Sequence, residues 1–293
     1  MLENCNLCAH NCNVNRNITL GACKCKVMPK VALASIHMWE EPCISMNNGS
    51  GTVFFSGCNL GCMFCQNYKI SHENFGKEIS IERLAEIFLE LQNRKVNNIN
   101  LVSPTPYVYQ IIEAIKIAKS NGLEIPIVYN TNSYENIETI KLLDGYIDVF
   151  LPDLKYFSDD VAIKYSKAPN YFKTATENIK EMIKQVGTPV FDENGIIKKG
   201  VIIRHLVLPS HLTETKHILE WIKSNLSADT YISIMLQYFP TYEAKNDTLI
   251  NRKVSKREFS FVEDLISDFK NGYIQELSEA EEEYVPVFDL SGV

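Results

Sequence analysis

Thr52-Val-Phe-Phe-Ser56 runs straight into Gly57-Cys58-Asn59-Leu60-Gly61-Cys62-Met63-Phe64-Cys65-Gln66-Asn67. The first five residues are β-branched, aromatic and small, which predicts a short buried strand. The next eleven set three cysteines in a C-x3-C-x2-C loop with a glycine just before each of the first two. A [4Fe–4S] cluster takes four thiolates when fully coordinated, so three cysteines leave one iron open for a substrate or cofactor. Gly57 and Gly61 let the backbone turn tightly around a bulky group. With 9 cysteines in 293 residues, chance places such a triplet in roughly one chain in a hundred. Zinc is a poorer match, because structural zinc sites usually take four protein ligands.

Beyond the loop, short apolar runs alternate with helical patterns, the signature of parallel βα units. A helix is expected over Ile81 to Lys95, capped by Ser80. Ile99 to Val102 follows as a strand, then a helix over Tyr107 to Ser120 closed by Gly122. Further strands are expected at Ile125 to Tyr129 and Ile147 to Leu151, with a helix over Tyr134 to Leu143 between them. Helices near Asp159 to Ser166 and Thr174 to Val186 precede a hairpin over Val190 to Ile197 around Asn194-Gly195. Val201 to Leu208 is a fifth strand, Thr213 to Asn225 a helix and Tyr231 to Leu236 a sixth strand. Ser255 opens a last helix through a capping box with Glu258, and Gly272 is expected to end it.

Six such repeats predict an α/β fold, a partial (βα)6 barrel rather than a closed eight-stranded one, with reactive groups at the C-terminal strand ends. Three regions are expected: a Cys-rich N-terminal metal-binding module and lead-in over 1–50, the barrel over 51–240, and a C-terminal helical extension and tail over 241–293.

Composition narrows the function. The hydrophobic content is 45%, and no apolar run approaches the ~20 residues of a membrane helix. The start, MLENCNLCAH, has no secretory pattern, so a cytoplasmic protein with no membrane partner is expected. A net charge of −7 argues against a nucleic-acid surface. The acidic residues from Glu276 to Glu283 read as a solvated run. All nine cysteines fall at or before Cys65, and metal ligation explains that crowding better than disulfides in a reducing compartment.

With its aromatic residue before the third cysteine, the loop resembles that of radical S-adenosylmethionine (SAM) enzymes. The wider sequence is similar to the PflX-like branch related to pyruvate formate-lyase-activating enzyme. The resemblance rests on His37-Met-Trp-Glu-Glu-Pro42, the cysteine loop, Val128-Tyr-Asn-Thr131, Leu151-Pro-Asp-Leu-Lys-Tyr156, Arg204-His-Leu-Val-Leu-Pro209 and Gln237-Tyr-Phe-Pro240. It implies a cluster on Cys58, Cys62 and Cys65 whose open iron is chelated by SAM. One electron then cleaves SAM to methionine and a 5′-deoxyadenosyl radical, which abstracts hydrogen from the substrate.

The resemblance also implies further SAM contacts. Family enzymes carry a Gly-Gly-Glu-type motif after the second strand; here Ser103-Pro-Thr-Pro106 stands instead, leaving the Thr105 hydroxyl or a local carbonyl to take the SAM amino group. Asn130 and Thr131 match a segment that holds SAM and a monovalent cation, but Asn130 replaces an acidic residue, which weakens the case for a cation. Asp153 and Lys155 match an Asp-Leu-Lys motif, suited to ribose hydroxyls and a carboxylate. Arg204, inside an apolar strand, needs a partner, and the resemblance gives it the SAM carboxylate. His205 points the other way and reads as structural. A SAM-contacting histidine of the relatives has no counterpart near Gln237 and Tyr238.

Cys5, Cys8, Cys12 and Cys23 form a second group that could hold zinc or an iron–sulfur cluster, with Cys25 an open alternative. Cys43 reads as a small buried hydrophobe. Glu40 and Glu41 are either exposed carboxylates or groups reaching the barrel mouth toward substrate. By resemblance, the target is a glycyl-radical enzyme and the reductant a flavodoxin or ferredoxin. Two other readings remain: modification of a metabolite or peptide, and an electron-transfer or metal-binding protein without catalysis.

Overall fold

A computed structural model describes residues 3–274 and 286–293; the acidic run from Glu276 to Glu283 lies outside the described residues. The strands are β1 (Lys30–His37), β2 (Ser50–Phe55), β3 (Lys77–Glu78), β4 (Ile99–Val102), β5 (Ile127–Thr131), β6 (Val149–Pro152), β7 (Val190–Phe191), β8 (Ile197–Leu206), β9 (Tyr231–Met235) and β10 (Gly272–Ile274). The helices are α1 (Pro42–Ser45), α2 (Tyr68–Ser71), α3 (Ile81–Asn93), α4 (Val108–Ser120), α5 (Ile137–Lys141), α6 (Asp159–Ser166), α7 (Tyr171–Val186), α8 (Leu212–Asn225) and α9 (Lys256–Ile266).

The sheet order is β10-β9-β8-β6-β5-β4-β2-β1-β3, with β7 hairpinned onto β8. From β2 to β10 along this path every pairing is parallel. The ends, β10 and β3, do not meet, so the barrel is partial, as the six βα repeats lead one to expect. No helix of the described residues is long and apolar enough to cross a membrane.

Three strands escape the sequence pattern, among them the two-residue β3 that pairs antiparallel with β1. β1 lies antiparallel on β2, and β10 extends the parallel set. Gly272 therefore does not end the last helix, which stops at Ile266. It starts β10 at φ +146°, where a Cβ would sit 2.2 Å from the Ile232 carbonyl oxygen. The third strand is shifted to Ile127–Thr131, because Pro126 has no N–H for the ladder. Helix α5 begins three residues later than expected. The backbone of the preceding turn is engaged by the N-terminal arm, through Ala9 N–H to the Tyr134 carbonyl at 3.2 Å and a Cys8–Glu135 bridge.

Side chains alternate across the strands. Val53, Leu101, Tyr129, Phe150 and Ile203 face outward into the main core beneath α3, α4, α7 and α8. Val128, Leu151 and Ile202 face inward, where Cys43 and Ile44 of α1 pack on them. That short helix plugs the lower end of the barrel, and its Ile44 carbonyl accepts the Asn98 side-chain amide at 2.9 Å. The final residues return to β1: Leu290 N–H donates to Ala32 at 3.0 Å, and Phe288 packs on Phe54.

Candidate functional site

A cavity of about 900 Å³ opens above the α1 plug, at the C-terminal ends of the strands. Cys58, Cys62 and Cys65 border it, on the loop between β2 and α2. Gly57 turns at φ +83°, and no side chain fits there because its Cβ would lie 2.1 Å from the Cys25 sulfur. The loop is pinned against the end of α6: Gly61 N–H donates to Ser166 O at 3.0 Å and Met63 N–H to Tyr165 O at 2.9 Å.

Each sulfur has a polar neighbour. Cys58 accepts from the Leu60 N–H and the Asn132 amide, both at 3.4 Å. Cys62 accepts from the Ser166 hydroxyl at 2.9 Å, and Cys65 lies 3.1 Å from the Ser71 hydroxyl. Burial pushes all three thiols up, Cys65 to about 11. Thiolates so placed would need a cation. Among the described residues no three Cys, His, Asp or Glu side chains are grouped to hold a single ion; what the triad suits is a cluster of several irons.

Opposite the thiols stands a charged network. Arg204, from the inner face of β8, donates to Asp153 at 3.0 Å and to Asn130 at 2.5 Å. It also reaches Glu40 at 3.3 Å and Glu41 at 3.9 Å. Lys155 donates to the second Asp153 oxygen at 2.7 Å. Burial alone would raise the Asp153 carboxyl, but Arg204 and Lys155 hold it below its ordinary value. Glu40 and Glu41 go the other way: burial raises both despite Arg204. They are not exposed carboxylates; the Glu41 side chain is 2% accessible and its Oε2 has no hydrogen-bond partner.

Asn130, Thr131, Asp153, Lys155, Arg204, Glu40 and Glu41 thus share the cavity with the three cysteines. Thr105 does not. Its hydroxyl donates to Glu135 at 2.7 Å, and Ser103 lines the cavity at that corner. Glu135 escapes the sequence pattern because a lone acid before a helix resembles a surface residue. It is buried instead, accepting also from the Thr131 and Tyr129 hydroxyls, and burial raises its carboxyl. His205 faces outward, its ring 2.7 Å from the Leu154 carbonyl and 2.9 Å from the Thr215 hydroxyl. Gln237 lines the cavity, whereas Tyr238 is buried on the Ile250 carbonyl. Cys5, Cys8, Cys12 and Cys23 lie outside it, in the arm that precedes β1.

Residues 52–222 match the family model of the radical SAM superfamily. The chain belongs to that superfamily, whose members are enzymes that bind a [4Fe–4S] cluster and SAM. It is 34% identical over 268 residues, 88% of its length, to the uncharacterized protein MJ0674 of Methanocaldococcus jannaschii, of which it covers 72%. It is 24% identical over 194 residues to a pyruvate formate-lyase-activating enzyme of Clostridium pasteurianum, covering 64% of this chain and 73% of that one. Among solved structures, Streptococcus suis SuiB bound to SAM aligns over 77% of this chain and 50% of its own, with a TM-score of 0.49 and 16% identity. This chain spans about half of SuiB. A domain of a Bacteroides vulgatus pyruvate-formate lyase-activating enzyme aligns over 58% of this chain and 91% of its own, with a TM-score of 0.42 and 16% identity.

Proposed function

We propose that the protein cleaves SAM reductively at a cluster held by Cys58, Cys62 and Cys65, and uses the product radical to take hydrogen from a glycine of a glycyl-radical enzyme. The observation that carries the first half is the shared cavity: three half-buried thiols face the Asp153–Lys155–Arg204 network across one space. When bound, the cluster and SAM supply one electron and the 5′-deoxyadenosyl radical. The chain's own residues bind and orient. Lys155 and Arg204 offer cations to a carboxylate, Asp153 accepts from hydroxyls or an ammonium, and Asn130 and Thr131 contribute amide and hydroxyl groups. Thr105 acts at one remove, through Glu135. Glu40 and Glu41 close the far side toward the substrate.

Support for a polypeptide target comes from an exposed apolar set on the α1 side of the cavity: Met38, Trp39 and Met46 line it and are 46%, 62% and 41% accessible, a patch of the kind that receives a partner chain. The relation to a pyruvate formate-lyase-activating enzyme points to a glycyl-radical enzyme as that partner, with a flavodoxin or ferredoxin as electron donor. The test is direct. Protein reconstituted anaerobically with iron and sulfide, then given SAM and dithionite, is expected to release 5′-deoxyadenosine, and Cys62→Ala to release none. No product from a fully loaded wild type would sink the reading. An organic radical signal on an added glycyl-radical enzyme tests the second half; its absence alongside active SAM cleavage would redirect the search to a metabolite or peptide.

A further inference from the structure

We propose that Cys5, Cys8, Cys12 and Cys23 hold a second iron–sulfur centre, through which the electron for SAM cleavage enters the protein. The relay rests on the reading of the first cluster given above.

The arm before β1 has little to hold it together. Its apolar content is a satellite cluster of Cys5 and Leu7 with Val14, Val27 and Tyr109. Segments that small need a cross-link or a metal. Yet the arm is tightly folded: Asn11, Asn13 and Lys24 sit at φ 45°, 52° and 55°, and Cys5 makes two backbone hydrogen bonds with the Asn13-Val14 segment, both 2.9 Å. These turns bring Cys23, Cys12 and Cys5 within electrostatic range of Cys8. The Ala22 N–H donates to the Cys12 sulfur at 3.3 Å, and any side chain at Gly21 would start 3.1 Å from that sulfur. Cys25 lies beside Cys23: its thiol donates to the Cys23 carbonyl at 3.1 Å and is buried in the main core at 2% accessibility, so Cys23, the more accessible of the two, is taken as the fourth ligand.

Arg16 is an independent pointer to an anion. It is 2% accessible, and its guanidinium donates only to the carbonyls of Cys25, Pro106 and Lys26. No carboxylate among the described residues pairs with it. Buried charges need countercharge, and an iron–sulfur centre on four thiolates is anionic.

Position argues for electron transfer. His10, two residues from Cys8, lies 2.8 Å from the carbonyl of Asn59, the neighbour of Cys58. The Asn59 side chain accepts from Asn132 at 2.7 Å, and Asn132 donates to the Cys58 sulfur at 3.4 Å. On the other flank, the Cys23 carbonyl and the Cys25 sulfur crowd Gly57, the residue before Cys58. The arm is seated on the loop that must receive an electron. One electron passes from a low-potential protein reductant to the arm centre, then to the cavity centre, and is consumed as the SAM carbon–sulfur bond breaks. The arm centre ends as it began. Zinc, which has no redox chemistry, could not serve.

The experiment compares three proteins reconstituted with iron and sulfide: wild type, Cys8→Ala/Cys12→Ala, and Cys58→Ala/Cys62→Ala/Cys65→Ala. Wild type should carry about eight irons and each variant about four. Reduced wild type should give two electron-spin signals that broaden one another, and each variant a single unbroadened one. Reduction of the cavity centre by reduced ferredoxin should lose rate in the Cys8/Cys12 variant, while dithionite still reduces it. Zinc in the wild type, or a triple variant without iron, overturns the arm centre even if the Cys8/Cys12 variant fails to fold. An unchanged ferredoxin rate overturns the relay. A triple variant that keeps all the iron would instead sink the first cluster.

Discussion

Glu41 shows how much one residue can carry. Its raised carboxyl stays protonated in the fold over a pH range where the unfolded chain has already ionised. The folded state then binds more protons, so stability falls as pH rises from the ordinary carboxylate value through the raised one. Glu41→Gln should flatten that slope in denaturant titrations across pH. By the proposed role it should also abolish substrate turnover and spare uncoupled 5′-deoxyadenosine release; turnover at the wild-type rate would remove Glu41 from the site. Arg204 is the complementary case. Arg204→Gln leaves Glu40 and Glu41 without their cation and Asp153 with Lys155 alone, and should cost about 3–5 kcal/mol in chemical denaturation. Cysteines at fixed spacing and charges inside apolar strands are visible in sequence, so Cys58, Asp153 and Arg204 could be picked out. Thr105 could not be placed, because the acid that turns its hydroxyl away is Glu135, distant in sequence and met only on folding.

At the scale of elements, strand ends follow backbone chemistry more than composition. β10 has three residues, too few for a pattern, and exists because Gly272 can pass against Ile232. Gly272→Ala should strain that passage by at least ~1–3 kcal/mol and lower the melting temperature, while 5′-deoxyadenosine release persists. A variant as stable as the wild type would mean that the strand contributes little. The hairpin over β7 and β8 and the capping box of α9 were legible because turn and cap residues carry their own local hydrogen bonds: Gly195 N–H donates to Asp192 O at 3.0 Å, and the Ser255 hydroxyl accepts from Glu258 N–H at 3.3 Å. The delayed start of α5 was not, since its cause is the arm more than 120 residues earlier (compare Ala9 with Tyr134).

On the scale of the molecule, both ends of the chain close on the sheet. The last residues lie along β1, so Phe288→Ala should cost about 3–5 kcal/mol, read as a lower denaturation midpoint. An unchanged midpoint would show that the tail is an ornament on β1. The open α/β sheet itself was legible, because parallel strands buried on both faces announce themselves as apolar runs between helices. The filled interior was not, because α1 has only four residues and its Cys43 and Ile44 look like any apolar pair. That stopper makes the barrel a cup rather than a sleeve. Under the proposed function, a molecule to be altered there is not threaded through the stoppered end; it comes in from the mouth or through the gap in the wall between β10 and β3.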